Sequence, residues 1–136
     1  MKKSSSRASA RRRLAPADLK NVEFTGGFWA DRIENNRSVT VPAEYNLCRE
    51  TGRIDAWTLK WKPGRPNQPH IFWDSDVAKW IEAAAYCLAA RPDQKVEALV
   101  DGAVDMMARA QAKDGYLNSH YLAVEPGKRW TNLRDC

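Results

Sequence analysis

The stretch His70-Ile71-Phe72-Trp73-Asp74-Ser75-Asp76-Val77-Ala78-Lys79-Trp80-Ile81-Glu82-Ala83-Ala84-Ala85-Tyr86-Cys87-Leu88 decides the fold. A short apolar, aromatic run meets a cluster of helix-start residues. Asp74 and Ser75 are residue types that accept hydrogen bonds from the unpaired N–H groups of a first helical turn. Asp76, one step further in, suits the positive end of the helix dipole. Val77, Trp80, Ile81, Ala84 and Leu88 then share one stripe at helical spacing, with Lys79, Glu82 and Tyr86 opposite. That periodicity predicts an amphipathic helix.

Working outward, Arg91-Pro92-Asp93 makes a tight connection in which Pro92 stops one helix and Asp93 caps the next. The second helix is expected from about Gln94 to Ala112. Its stripe is Val96, Leu99, Val100, Ala103, Met107 and Ala110, and its outer face is Asp101, Asp105 and Arg109. Asp105 and Arg109 stand in the favourable order for a helix-surface pair. Gly102 weakens this helix slightly and would let a neighbour approach closely. Gly115 is the expected C-terminal stop. Two such helices with a short connection form an antiparallel hairpin. Its alanine-rich faces and the Met106-Met107 pair read as core packing.

Upstream, Val22 and Phe24 alternate before Gly26-Gly27, which predicts a short strand or extended arm running into a turn. Phe28 to Arg37 reads as helix, Val39-Thr40-Val41-Pro42 as an interruption, and Pro42 to about Gly52 as a second short helix. Trp57, Leu59 and Trp61 alternate, and Lys62 to Pro69 is a proline-rich loop. Downstream, Asp114 to Leu122 reads as a turn leading to a short strand or rim loop. Pro126 and Gly127 turn the chain once more. The sequence stops at Arg134-Asp135-Cys136 with no polar tail, and a hairpin with an uncovered apolar face is expected to be a truncated, poorly stable unit.

The net charge of +5 belongs to one end. Lys2, Lys3, Arg7, Arg11, Arg12 and Arg13 lie within residues 1–13 with no acid among them, which leaves 16 basic against 17 acidic residues in the remainder. Residues 1–13 are expected to be a disordered basic tail and 14–136 the folded part. A near-neutral fold argues against a nucleic-acid partner. No apolar run approaches the ~20 residues of a membrane span, and the basic start lacks the apolar segment of an export signal. Cys48, Cys87 and Cys136 are far apart, with no metal-binding spacing. A reduced, cytoplasmic chain with no membrane partner is the expectation.

The residues alone assemble no catalytic set. Asp74 and Asp76 sit close together beside Trp73, and paired acids flanking a sugar are how most glycosidases work. At a helix start, capping is the commoner role for such carboxylates. His70 and His120 have no nucleophile pattern beside them. Trp, Tyr, Asp and Asn at one end of a helical hairpin suit carbohydrate, because aromatic faces stack on sugar rings while polar side chains bind hydroxyls.

Five blocks occur in order: Gly26-Gly27-Phe28-Trp29, Arg53-Ile54-Asp55-Ala56, Phe72 to Tyr86, Ala110-Gln111 with Asp114-Gly115-Tyr116-Leu117-Asn118, and Arg129-Trp130-Thr131-Asn132-Leu133-Arg134-Asp135. Together they resemble the N-terminal portion of β-L-arabinofuranosidase-like proteins, glycoside hydrolase family 127. The resemblance implies an all-α fold, part of an (α/α)6 toroid of helical hairpins with short extended rim segments. It implies retaining hydrolysis of β-L-arabinofuranosides in plant-type arabinose-containing glycans. The family's nucleophile is a cysteine thiolate held near zinc, with a glutamate as acid/base. Those groups fall outside the blocks matched here, so no catalytic residue and no metal ligand is assigned to this chain, and zinc is implied only for the full-length family. Trp73, Asp74, Asp76, Tyr116 and Asn118 are the expected substrate-end positions. A helical interaction module with a basic tail and another (α/α)-toroid carbohydrate enzyme are the competing readings. Oligomeric state is open.

Overall fold

The computed structural model describes residues 15–134; the basic tail expected over residues 1–13 lies outside them. Among the described residues five α-helices carry the fold: α1 (Gly27–Asn35), α2 (Val41–Glu50), α3 (Trp73–Ala90), α4 (Gln94–Ala110) and α5 (Ser119–Ala123). Short 3-10 turns lie at Leu19–Asn21, Asp55–Thr58 and Pro126–Lys128. Among the described residues there is no strand. The alternations at Val22/Phe24 and Trp57/Leu59/Trp61 therefore do not mark strands. No neighbouring edge pairs with them, and extended backbone without a ladder partner gains little. Also among the described residues, no helix is long and apolar enough to cross a membrane.

The hairpin forms as its stripes require. Val77, Trp80 and Ala84 of α3 and Val96, Ala103 and Ala110 of α4 are buried. One core cluster joins Trp80 and Ala84 to Val96 and Ala103, and a second joins Val77 to Ala110. Early α3 thus meets late α4, so the two helices are antiparallel. Asp93 caps α4 as expected, accepting from the N–H groups of Lys95 at 3.0 Å and Val96 at 3.3 Å.

α2 closes the third side of this core. Val41 joins the first cluster and Cys48 the second, so α2 runs antiparallel to α3. The Trp80 indole N–H donates to the Val41 carbonyl at 2.9 Å, and Tyr45 packs on the Trp80 ring at 4.9 Å. The interruption expected at Val39 to Pro42 is instead a wide π turn, Asn36–Thr40, in which the Val41 N–H reaches Asn36. Proline has no N–H, and its ring collides with the carbonyl four residues back. Widening the turn by one residue relieves both conditions without ending the helix. At this end Arg37 ties Glu34 to Asp93, and Asn36 contacts the Cys87 thiol, which joins α1 to the α3–α4 connection.

Three further expectations change. α4 ends at Gln111, whose backbone turns extended, and Gly115 (φ +87) serves the following turn. Ser119–Ala123 is helix where a strand or rim loop was expected, because Asn118 caps it by accepting from the Tyr121 N–H at 3.0 Å. Gly102 has nothing within 4 Å of the place a Cβ would occupy, so no neighbour approaches it. Large apolar side chains stay uncovered, among them Phe28 and Trp29 at 62% exposure each, Val39 and Leu47 at 57% each, and Trp130 at 67%.

Candidate substrate-end site

The start of α3, the end of α4 and the segment from Gly115 to Leu133 gather at one end of the hairpin. Asp74 and Asp76 both lie in the first turn of α3. Neither caps the helix. The N-cap position is Phe72, with no side-chain cap, and Ser75 donates back to the Phe72 carbonyl at 2.8 Å. The helix begins two residues too early for Asp74 to stand at its cap and face its own free N–H groups.

Asp74 instead reaches across the chain. It accepts from the Ser119 N–H at 2.7 Å and the Ser119 hydroxyl at 2.5 Å. Ser119 is fully buried. Burial pushes the Asp74 carboxyl up from its ordinary value, while the two Ser119 hydrogen bonds and the His120 charge oppose that rise. Asp76 takes a different partner, the Arg53 guanidinium at 2.8 Å, and that guanidinium lies 5.2 Å from the Trp73 ring centroid. Residues two apart on a helix do not face each other, so the two carboxylates are separately engaged and do not flank a common space.

Tyr116 and Asn118 belong to a second group. Tyr116 sits between the Arg129 guanidinium, 4.1 Å from its centroid, and the Trp130 ring, 4.7 Å away and edge-on. Asp114 fixes Arg129 at 2.6 Å, and that contact holds the Asp114 carboxyl below its ordinary value. Asn118 caps α5. The Asp74–Ser119 pair links this group to the Trp73–Arg53–Asp76 group. His120 braces the joint, with Nδ1 at 2.7 Å from the Pro69 carbonyl and Nε2 at 3.2 Å from Glu125. An open cleft of about 370 Å³ runs between Tyr116-Leu117-Asn118 and Trp130, Asn132 and Leu133.

Sequence reasoning did not single out Ser119, Arg129 or Trp130 at this end, and it considered His120 only for a nucleophile pattern that it lacks. Arg129 and Trp130 stood inside a recognised block with no role attached. Ser119 carried no signal, because its partner is 45 residues away.

Among the described residues, neither Cys48 nor Cys87 offers an activated sulfur. Burial pushes both the Cys48 and the Cys87 thiols up, the opposite direction to a thiolate nucleophile. Among the described residues no three His, Cys, Asp or Glu side chains converge as a metal site. These residues therefore do not fit the zinc centre that the resemblance implies.

Comparison with known proteins places this geometry. A family model for the β-L-arabinofuranosidase GH127 catalytic domain matches residues 21–135. The non-reducing end β-L-arabinofuranosidase of Bifidobacterium longum subsp. longum is 57% identical over 51 residues, which are 38% of this chain and 8% of that protein. The solved GH127 β-arabinofuranosidase BT3674 superposes with a TM-score of 0.71 at 33% identity, over 79% of this chain and 17% of that one. The chain thus spans less than a fifth of the length of that solved relative. With an all-helical hairpin that superposes on part of such an enzyme, and a family match across nearly all the described residues, the chain belongs to the GH127 β-L-arabinofuranosidase catalytic-domain family.

Proposed function

We propose that this chain forms the N-terminal stave of a retaining β-L-arabinofuranosidase that acts on plant-type arabinose-containing glycans. The observation that carries this is the unbroken family match over residues 21–135. In this reading the hairpin is one of six in an (α/α) toroid. Trp73, Asp74, Asp76, Tyr116 and Asn118 lie at its substrate end, the last four also holding that end in shape. The thiolate nucleophile, the glutamate acid/base and the zinc belong to other parts of the whole domain, and this chain positions sugar without reacting with it. The free thiols of Cys48 and Cys87 are in keeping with a cytoplasmic setting.

A graft tests the proposal. Residues 21–135 replace the matching segment of the Bifidobacterium enzyme, and the product is assayed on an aryl β-L-arabinofuranoside and on a 4,5-unsaturated uronide. Hydrolysis of the arabinofuranoside alone is the expected result. A folded graft that cleaves only the uronide would favour a different toroid enzyme.

A further inference from the structure

We propose that Trp130 is a stacking platform for a neutral sugar ring, backed by Tyr116 and served by the amides of Asn118 and Asn132. The inference rests on the glycan reading above and adds a subsite to it.

Trp130 combines two unusual properties. It is 67% exposed, although indole is the largest apolar side chain available. Its backbone also lies at φ +65, in the left-handed region that bulky residues rarely adopt. Among the described residues the ring packs on little beyond Tyr116, and its backbone conformation is one that tryptophan adopts at a cost. Strain of this kind gathers at ligand-binding positions.

The surroundings hold the ring in place. Arg129, anchored by Asp114, packs on one side of Tyr116, and the Tyr116 ring meets Trp130 at 76°. This edge-on contact fixes an aromatic surface at the mouth of the cleft. The cleft, about 370 Å³, is in the size range of small-ligand sites. Leu117 and Leu133 supply apolar wall, and Asn118 and Asn132 supply amides. A sugar ring has one C–H-rich face for an aromatic surface and hydroxyls at its edge for amides. Every residue lining the cleft is uncharged, so nothing in it compensates a carboxylate or phosphate, and a neutral sugar is the class that fits.

Isothermal titration of the full chain with methyl β-L-arabinofuranoside and a neutral arabino-oligosaccharide tests this, with a glucuronide as the charged control. Trp130→Gly is expected to melt no lower than the parent, since glycine takes φ +65 freely. It is expected to bind the neutral sugars at least about tenfold more weakly. Trp130→Phe, which keeps a ring, should bind within about threefold of the parent. Equal sugar binding by Trp130→Gly overturns the platform and leaves the glycan reading standing. A Trp130→Gly chain that melts well below the parent shows a structural ring and also overturns it. Glucuronide binding as tight as the neutral sugars overturns the neutral class. Successful titration with an inactive graft would retain the platform and reject the arabinofuranosidase.

Discussion

Replacing Asp74 by alanine should loosen the whole substrate end. The carboxylate accepts two hydrogen bonds from Ser119, whose side chain has no solvent exposure. Removing it strands a backbone N–H and a hydroxyl, each at a cost of about 1–3 kcal/mol. Asp74 itself is only half-buried, so water entering its place recovers part of this, and a loss of about 3 kcal/mol is expected. That is a large share of the roughly 5–15 kcal/mol that stabilises an ordinary domain. For a chain of this length it corresponds to a fall of about 10 °C in Tm. Urea titrations followed by far-UV circular dichroism, with a shared slope, measure the difference. Asp74→Asn serves as the control, because its carbonyl still accepts from the Ser119 N–H and its amide can donate to the hydroxyl oxygen. It should lose less than about 1 kcal/mol. The pH dependence has a definite sign. Asp74 has a raised native pKa, so the proton-linked part of its contribution is present below the ordinary carboxylate range and is lost as pH rises through the raised value, while the ionised carboxylate still accepts from Ser119. Asp74→Asn should remove that slope. An Asp74→Ala protein within about 0.5 kcal/mol of the parent would refute the latch.

Other expectations can be checked alongside. Gly52→Ala should destabilise by about 1–3 kcal/mol in urea titrations, because φ is +83 and the new Cβ would stand 2.7 Å from the Asn67 Cβ. Gly102→Ala, in open space within α4, should instead raise stability by about 0.5–1 kcal/mol in the same assay. Trp80→Phe leaves the buried Val41 carbonyl without its 2.9 Å donor and should cost about 2 kcal/mol, read from the shift in denaturation midpoint. Asp114 is held below its ordinary pKa by Arg129, so that contact persists above the carboxylate range and is lost as pH falls through the depressed value. Arg129→Met should move the Asp114 carboxyl-carbon titration upward, toward the ordinary range, with the Tyr116 N–H still holding part of the shift.

The helical hairpin was legible in the sequence because it depends on local spacing. Val77, Trp80 and Ala84 needed only their own periodicity to be placed in a core, and Asp93 needed only the residues after it to be placed at a cap. The site was less legible because its contacts are long-range. Asp74 reads as a capping residue until Ser119 arrives from 45 residues away. Val39 to Pro42 reads as a break between two short helices, since the alternative, a widened turn that keeps them continuous, is cheap only when the flanking helices are already packed. Trp130 sits in the left-handed region, and a tryptophan carries no sign of that in its identity. The family blocks marked the segments that meet at this end, including Arg129-Trp130, but they did not tell which side chains hold the scaffold.

The central claim is that one end of this hairpin faces sugar. Amide-resolved chemical-shift mapping of the labelled chain with methyl β-L-arabinofuranoside tests it most directly. The account expects saturable shifts at Trp73 to Asp76, Gly115 to His120 and Trp130 to Asn132, with the opposite end around Arg91 to Asp93 unmoved. Shifts centred on that opposite end, or no saturable shift at any residue, would contradict it.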